Sequence, residues 1–152
     1  MERRDFLKKA GAGTAVAAGT LAAPAIVKAR TEIAMVTTWP RDFPGLGTGA
    51  QRFAKSLSEL SDGRLNVTYY ASGERVKPFD SFDEVASGNA QMYHAADYYW
   101  KGKHPGWAYF TAVPFGFVYS EINAWINWGG GQELWDELSG EFGLKCLTCG
   151  NT

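Results

Sequence analysis

Cysteine and histidine are scarce in this sequence. Two cysteines and two histidines occur among 152 residues, too few for a zinc site or a disulfide framework to organise the fold. His94 and His104 have no Ser or Cys nucleophile motif beside them, and His94 is expected to be a hydrogen-bonded core residue of a strand. Asp80, Asp83 and Glu84 are expected to form the solvated face of a short helix. The sequence therefore shows no catalytic constellation.

A basic excess and long apolar runs are also missing from most of the chain. From residue 30 onward there are 10 Lys or Arg against 14 Asp or Glu, which argues against nucleic-acid binding by a basic face. No uninterrupted run of 18 apolar residues occurs beyond the N-terminal 29 residues, so the body is expected to be soluble. The hydrophobic share is 45% and the aromatic share is 14%. These values predict one packed domain that is rich in rings.

The N-terminal 29 residues have the pattern of an export signal. The segment Arg3–Lys8 places two arginines before x-Phe-Leu-Lys, and residues 10–23 are rich in Ala and Gly. A charged start, a weakly apolar middle and a small-residue end are typical of a secretory signal, and the arginine pair resembles a twin-arginine signal. We therefore expect residues 1–29 to lie outside the fold and the body to be periplasmic. The alternative is a membrane-anchoring amphipathic helix, which Gly11, Gly13 and Gly19 would weaken.

Apolar runs and helical periodicity alternate along the body. They predict strands over Glu32–Thr38, Leu65–Ala71, Ala90–Ala95 and Leu144–Cys149, and helices over Ala50–Leu60, Pro78–Ser87, Glu121–Trp128 with Ser120 as N-cap, and Gln132–Leu138. Strands that alternate with helices predict an α/β fold with a mostly parallel sheet covered on both faces.

The segment Met92–Pro114 concentrates aromatic rings with polar tips. These rings are Tyr93, Tyr98, Tyr99, Trp100, Trp107 and Tyr109. Buried Tyr and Trp need hydrogen-bond partners, and Gly and Pro residues interrupt the segment. It therefore predicts one wall of a small-molecule pocket at the end of a strand. The alternative is a surface loop whose rings cover the end of the sheet.

Two further motifs keep other functions open. Gly45, Gly47 and Ala50 match G-x-G-x-x-A between a strand and a helix, but strand two ends without the acid of a dinucleotide site. Cys146 and Cys149 form C-x-x-C within a predicted strand, where an odd separation directs the two side chains to opposite faces. Buried or unreactive thiols are therefore favoured. An exported oxidoreductase or thiol-redox protein remains the alternative, as does an adhesive periplasmic domain with exposed rings.

Six short motifs together resemble one family. They are Met35–Pro40, Phe43–Gly49, Ser61–Leu65, Tyr98–Lys103, Val113–Gly116 and Trp128–Gly131. The sequence is similar to the periplasmic substrate-binding subunits of TRAP (tripartite ATP-independent periplasmic) transporters, in the branch that binds 2-oxo acids such as pyruvate, or lactate. The resemblance covers about residues 33–152.

The resemblance implies a two-lobed clamshell that closes on a small monocarboxylate and performs no reaction. It implies a sodium or calcium ion bound with the ligand, delivery to integral-membrane subunits, and it allows a homodimer. Tyr98 and Tyr99 match tyrosines that line the family's pocket. Trp39 and Phe43 match the end of strand one and its loop, and Asn151 falls where the chain enters the hinge.

The family is about twice as long as the body of this chain. The resemblance therefore implies that residues 30–152 form the first lobe and that the second lobe would follow Thr152. In the family that second lobe supplies most metal ligands and the arginine that pairs with the ligand carboxylate. Arg41, Arg52, Arg64 and Arg75 do not lie in an equivalent motif, so we expect this chain alone to bind ligand weakly or not at all.

Overall fold

The computed structural model describes residues 30–150, in which strands alternate with helices. The strands are β1 (Thr31–Thr37), β2 (Leu65–Tyr70) and β3 (Met92–His94), the α-helices are α1 (Leu46–Leu60), α2 (Ser81–Ala86), α3 (Tyr119–Trp128) and α4 (Gly131–Gly140), and 3-10 helices span Pro78–Asp80, Asp97–Trp100 and Pro105–Phe110. The expected leader and Asn151 lie outside the described residues. No helix in the described range has both the length and the apolar character of a membrane span.

The three strands form one parallel sheet in the order β2-β1-β3. Met35 in the central strand lies in register with Tyr69 on one side and Met92 on the other. The predicted α/β fold with a parallel sheet is therefore confirmed. Because the strands are parallel, their carboxyl ends meet at one edge of the sheet, and the segments that follow them converge there.

Separate apolar clusters cover the two faces of the sheet. Neighbouring residues of a strand point to opposite faces, and Met92 and Tyr93 of β3 accordingly pack against different clusters. The smaller cluster contains Met35, Ala50 and Ala54, which join β1 to α1. The larger one is mainly aromatic and contains Phe82, Trp100, Trp107, Phe110, Ile126, Trp135, Leu138 and Cys146.

Two rings assigned to the pocket wall by sequence belong to this aromatic core. Trp100 is 4% exposed and donates its Nε1–H to the Phe79 carbonyl oxygen at 2.9 Å. Trp107 is 0% exposed, and its Nε1 has no hydrogen-bond partner in the described structure. The prediction of a pocket wall was therefore wrong for these two tryptophans. Burial of a large apolar ring is favourable enough to place Trp107 in the core although its N–H is not hydrogen-bonded.

Two helices begin two or more residues earlier than their apolar periodicity predicts. Helix α1 starts at Leu46, directly after Gly45, whose positive φ of 78° lets the chain turn sharply into the helix. Helix α3 begins one residue before Ser120, so the expectation that Ser120 is its N-cap was wrong. The Val118 N–H instead donates to a Glu121 carboxylate oxygen at 3.0 Å, as an acidic group does in a capping box.

The predicted strand Leu144–Cys149 is not a strand in the structure. A ladder needs a neighbouring strand about 4.8 Å away. Within residues 30–150, β3 pairs only with β1, and a cavity lined by both β3 and the segment 143–150 separates the two. Apolar and polar residues alternate in this segment, but no strand within residues 30–150 lies beside it to form a ladder.

Candidate ligand-binding site

Four aromatic rings meet at the carboxyl ends of β1 and β3. Trp39 follows β1, and its ring lies 6.1 Å from that of Phe43 and 6.0 Å from that of Tyr99. Tyr98 and Tyr99 follow β3, and their ring centroids are 4.7 Å apart. The structure thus brings together the four described residues that the sequence singled out as site residues. Three of them are half-buried, whereas Phe43 is 43% exposed.

A cavity of about 960 Å³ opens beside these rings. Trp39 and Tyr98 line it, together with His94 and the segment 143–150. Phe43 and Tyr99 do not line the cavity, but their rings pack against Trp39, which does. A cavity of this size at the carboxyl edge of a parallel sheet is the usual place for a small ligand in α/β proteins.

Several buried polar atoms at this edge have no hydrogen-bond partner within residues 30–150. They are Thr38 Oγ1, Trp39 Nε1, Tyr69 OH and His94 Nδ1. Each lies at or next to the carboxyl end of a strand. The expectation that His94 is buried was right, but its Nδ1 is not hydrogen-bonded, and burial lowers the pKa of its imidazole. An unpaired buried polar group costs free energy, so a ligand that hydrogen-bonds to these atoms would be stabilised at this edge.

Arg41 is the arginine nearest these rings in sequence, and it is already paired. Its Nε and Nη2 donate to the two carboxylate oxygens of Glu74 at 2.9 and 2.6 Å. This bidentate hydrogen bond raises the pKa of Arg41 and lowers that of Glu74. The guanidinium also lies over the Tyr69 ring, 5.1 Å from its centroid. Arg41 therefore links the ends of β1 and β2, and in this structure its guanidinium is paired with Glu74.

A buried carboxyl group lies just before the two tyrosines, and sequence reasoning missed it. Asp97 is 4% exposed, and its Oδ2 accepts a hydrogen bond from Trp135 Nε1 at 2.8 Å. Its Oδ1 accepts from the Tyr93 hydroxyl at 3.2 Å, and that hydroxyl lies 3.7 Å from Cys146 Sγ. Burial raises the pKa of Asp97 to about 6, although both hydrogen bonds act in the opposite direction. An acid directly after an apolar strand was the one available sequence signal.

The two cysteines do not form a redox site in the described structure. Both thiols are free, Cys146 being buried and Cys149 exposed. Burial, followed by the charge of Asp97, raises the pKa of the Cys146 thiol to about 12. Redox-active thiols have lowered pKa values and lie at helix N-termini or near cations. The expectation of a buried thiol is met by Cys146, whereas Cys149 is exposed.

The remaining sequence motifs have structural explanations. A Cβ on Gly47 would lie 2.6 Å from the Pro40 carbonyl oxygen, so this glycine allows α1 to pack closely against the preceding loop. His104 Nδ1 accepts from the Gly106 N–H at 3.1 Å and caps a 3-10 helix. Asp83 pairs with Lys103 at 2.6 Å on the protein surface, as expected for a solvated helix face.

Metal-binding side chains are not clustered in the part of the chain that the structure describes. Calcium prefers six to eight oxygen ligands, several of them carboxylates. Within residues 30–150 there is no group of three or more His, Cys, Asp or Glu side chains placed to hold a metal.

A family model matches most of this chain. The model of the bacterial extracellular solute-binding protein family 7 (DctP) aligns with residues 35–152. This chain belongs to that family. The membership agrees with the resemblance carried by the six sequence motifs, and nothing in the match supports the redox alternative.

Individual members of the solute-binding family are similar in sequence and in structure. The chain is 32% identical to the monocarboxylate 2-oxoacid-binding periplasmic protein of Nostoc sp. (strain PCC 7120), with all of this chain and 43% of that protein aligned. A TRAP periplasmic solute-binding protein from Colwellia psychrerythraea, solved with bound calcium and pyruvate, is 38% identical, with a TM-score of 0.74 over 76% of this chain and 35% of that one. The corresponding protein from Pseudoalteromonas atlantica T6c, solved with bound sodium and pyruvate, is 38% identical, with a TM-score of 0.73 over 75% and 35%.

The chain spans less than half the length of these relatives. It covers 43% of the Nostoc protein and 35% of each crystallised chain. The fold of the described residues therefore matches one lobe-sized part of a TRAP solute-binding protein, and the parallel sheet is common to both.

Proposed function

We propose that this chain is the first lobe of an exported solute-binding protein that captures a small monocarboxylate for a cation-driven TRAP transporter. The ligand class is a 2-oxo acid such as pyruvate, or lactate. The protein performs no reaction, takes a sodium or calcium ion together with its ligand, and delivers that ligand to integral-membrane subunits. Residues 1–29 act as a twin-arginine signal, so the working location is the periplasm, and two copies associate in the full-length protein.

The single observation that carries this proposal is the ring cluster at the carboxyl edge of the sheet. Trp39, Phe43, Tyr98 and Tyr99 contact one another beside a cavity, in a chain whose family binds solutes. Tyrosine and tryptophan provide apolar walls with a polar tip, which suits a small organic anion that has a methyl group. The pyruvate in two similar crystal structures supports this choice of ligand.

The unpaired polar atoms and the pairing of Arg41 with Glu74 support the proposal that residues beyond 30–150 complete the site. The ligand carboxylate needs a bidentate cationic partner when it is buried, and Arg41 is held by Glu74. We propose that a second lobe following Thr152 provides that partner and the metal ligands, and that Asn151 lies at the hinge between the lobes.

A thermal-shift titration of the protein, expressed with whatever sequence follows Thr152 in its reading frame, tests the ligand class. Pyruvate and lactate are compared with acetate and succinate, each with sodium, calcium or chelator. A ligand that binds only the folded state raises the melting temperature in proportion to ln(1 + [L]/Kd). We expect a shift with pyruvate or lactate that depends on the cation. No shift with any small acid under any of these conditions would contradict the proposal.

Removal of the Tyr98 hydroxyl tests the site within the same protein. Tyr98→Phe keeps the ring at the cavity and removes one hydrogen-bonding group, so we expect the Kd for pyruvate to rise about 2- to 10-fold by calorimetry. Tyr109→Phe is the matched control, because Tyr109 is 63% exposed and does not line the cavity beside the four rings. Equal affinities of the two variants would show that the Tyr98 hydroxyl does not bind the ligand.

A thiol titration under native conditions separates this proposal from the redox alternative. The raised pKa of the Cys146 thiol predicts slow alkylation of that residue at pH 7. A fast-reacting pair of thiols at neutral pH would instead favour an exported redox protein.

A further inference from the structure

The short helix that contains Tyr98 and Tyr99 is anchored at both of its ends. At one end, Trp100 Nε1 donates to the Phe79 carbonyl oxygen at 2.9 Å. At the other end, Asp97 accepts from Trp135 at 2.8 Å. A 3-10 helix of four residues has poor hydrogen-bond geometry of its own, so its position depends on such anchors. The two tyrosines stand between them.

Asp97 joins three separate parts of the lobe. Tyr93 belongs to β3 and Trp135 to α4, and both donate to the Asp97 carboxyl group. Trp135 is fixed in turn by stacking on Phe110, with ring centroids 5.2 Å apart and planes 3° from parallel. The Tyr93 hydroxyl also contacts Cys146, in the segment that lines the far side of the cavity. A shift of Asp97 would therefore move the tyrosines relative to both the sheet and the cavity wall.

The carboxyl group has no cationic partner in the described structure. Lys145 is paired with Asp136, and none of the ion pairs among residues 30–150 involves Asp97. A buried carboxylate without a counter-ion is costly. An apolar side chain in the same space would leave the Trp135 N–H and the Tyr93 O–H without an acceptor, so the role of the carboxyl group is to hold these two donors together.

We propose that Asp97 is a positioning residue for the ligand site: its carboxyl group, held by Trp135 and Tyr93, fixes Tyr98 and Tyr99 at the cavity, and ligand affinity depends on its ionised form. This inference rests on the proposed function. The ionised form is the better acceptor for two donors at once, because both oxygens then accept and neither carries a proton.

Among the titratable groups that surround Asp97 in the described structure, no other changes its charge near neutral pH. Burial raises the pKa of Tyr93, and burial raises that of Cys146 to about 12, so both stay neutral. The Cys149 thiol, also near enough to sense Asp97, has a raised pKa for the same reason. At the rim, Lys145 lowers the pKa of Asp136, which keeps that carboxylate ionised.

One further titratable group lies on the same strand as Tyr93. Burial lowers the pKa of His94, so the imidazole takes up a proton only below its ordinary range. Asp97 titrates at about pH 6. A variant at Asp97 is therefore needed to separate its effect on ligand affinity from that of His94.

The test is a calorimetric pH profile for pyruvate binding from pH 5 to 8, using the protein with the sequence that follows Thr152. In the unaltered protein we expect affinity to fall as pH drops through about 6. In Asp97→Asn this step is expected to vanish, with a Kd about 3- to 10-fold higher at pH 7.5. In Trp135→Phe the step should move to higher pH, because one donor to the carboxylate is lost.

Trp128→Phe is the matched control for the tryptophan variant, since Trp128 is 85% exposed, and it is expected to bind as the unaltered protein does. An Asp97→Asn variant with an unchanged affinity and pH profile would overturn the inference.

A second readout does not depend on the ligand. Amide hydrogen exchange at Tyr99 and Lys101, whose N–H groups bond to Ala96 and Tyr98 within the anchored turn, is expected to be at least 3-fold faster in Asp97→Asn. If no acid binds the unaltered protein, the proposed function fails, and exchange alone decides the role of Asp97. Unchanged exchange rates would then overturn the positioning role.

Discussion

Trp107 has no exposed surface and packs edge-on against Phe82, with ring centroids 5.5 Å apart. Truncation of a buried ring of this size loses its transfer free energy and leaves a cavity. We therefore expect Trp107→Ala to lower the free energy of unfolding by about 3–5 kcal/mol in urea. Trp128→Ala is the control and should stay within about 0.5 kcal/mol of the unaltered protein, because that ring lies in solvent. Similar losses in both variants would contradict the core assignment of Trp107.

Asp97 should give the stability of the protein a characteristic pH dependence. Its pKa is about 6 in the folded chain against an ordinary value of 3.8, chiefly because of burial. The folded state therefore binds the proton more tightly, and this contribution is complete below about pH 4 and is lost as pH rises to about 6. The shift corresponds to roughly 3 kcal/mol. Urea unfolding of Asp97→Asn should accordingly gain that amount relative to the unaltered protein between pH 4 and pH 7.

Other groups contribute to both proteins alike and cancel in this comparison. The lowered pKa values of Glu74, Asp136 and His94 stabilise the folded state at higher pH and lose that effect as pH falls. Parallel stability curves for the variant and the unaltered protein would mean that Asp97 does not titrate in this window.

Individual residues differ in how far the sequence could reveal them. Trp39 and Tyr98 follow strands, and the carboxyl ends of parallel strands meet, so their closeness could be predicted. The bond between Asp97 and Trp135 joins positions 38 residues apart. No periodicity links these two positions, because the contact depends on how α4 packs against the turn after β3.

At the level of single elements, substitution of two glycines in α1 tests how closely this helix packs against the loop before it. Gly47 is buried in this helix, and a Cβ there would lie 2.6 Å from the Pro40 carbonyl oxygen, a backbone atom that cannot turn away. We expect Gly47→Ala to lower the free energy of unfolding by about 1–3 kcal/mol, because overpacking outweighs helix propensity. Gly49→Ala, with nothing within 4 Å of the added atom, should raise it by about 0.5–1 kcal/mol.

Both changes are measured by urea unfolding of this chain. The outcome that would contradict the close approach of α1 to its loop is a stabilising Gly47→Ala variant, or a pair of variants that behave alike.

The strands also show where an apolar pattern in the sequence is sufficient to predict an element. β1 and β2 each lie within one residue of prediction, since a short apolar run bounded by turn residues has few other conformations. Leu144–Cys149 has a similar pattern without forming a strand, because strands depend on a neighbour and helices do not. The sequence pattern does not predict the 3-10 helix Asp97–Trp100, since such short helices have no apolar repeat.

For the whole molecule, the proposed division of the site between two lobes predicts how this chain behaves when expressed alone. Residues 30–150 provide the ring cluster, and Arg41, the arginine nearest to it in sequence, is paired with Glu74. We expect pyruvate at 1 mM, with sodium or calcium, to leave the melting temperature of the isolated chain unchanged within about 1 °C. The protein extended beyond Thr152 should show a clear rise under identical conditions. A comparable rise in both would mean that one lobe is enough for binding.

The exposed rings of the segment before α3 have a practical consequence. Phe115 is fully exposed, Phe117 is 60% exposed, and β3 has an open edge within the described sheet. Apolar patches and unpaired strand edges are the surfaces through which proteins adhere to one another. Preparations of the isolated chain should therefore turn cloudy sooner in ammonium sulfate than those of a Phe115→Ser, Phe117→Ser double variant, and dilute storage with a mild non-ionic detergent should keep the unaltered chain clear.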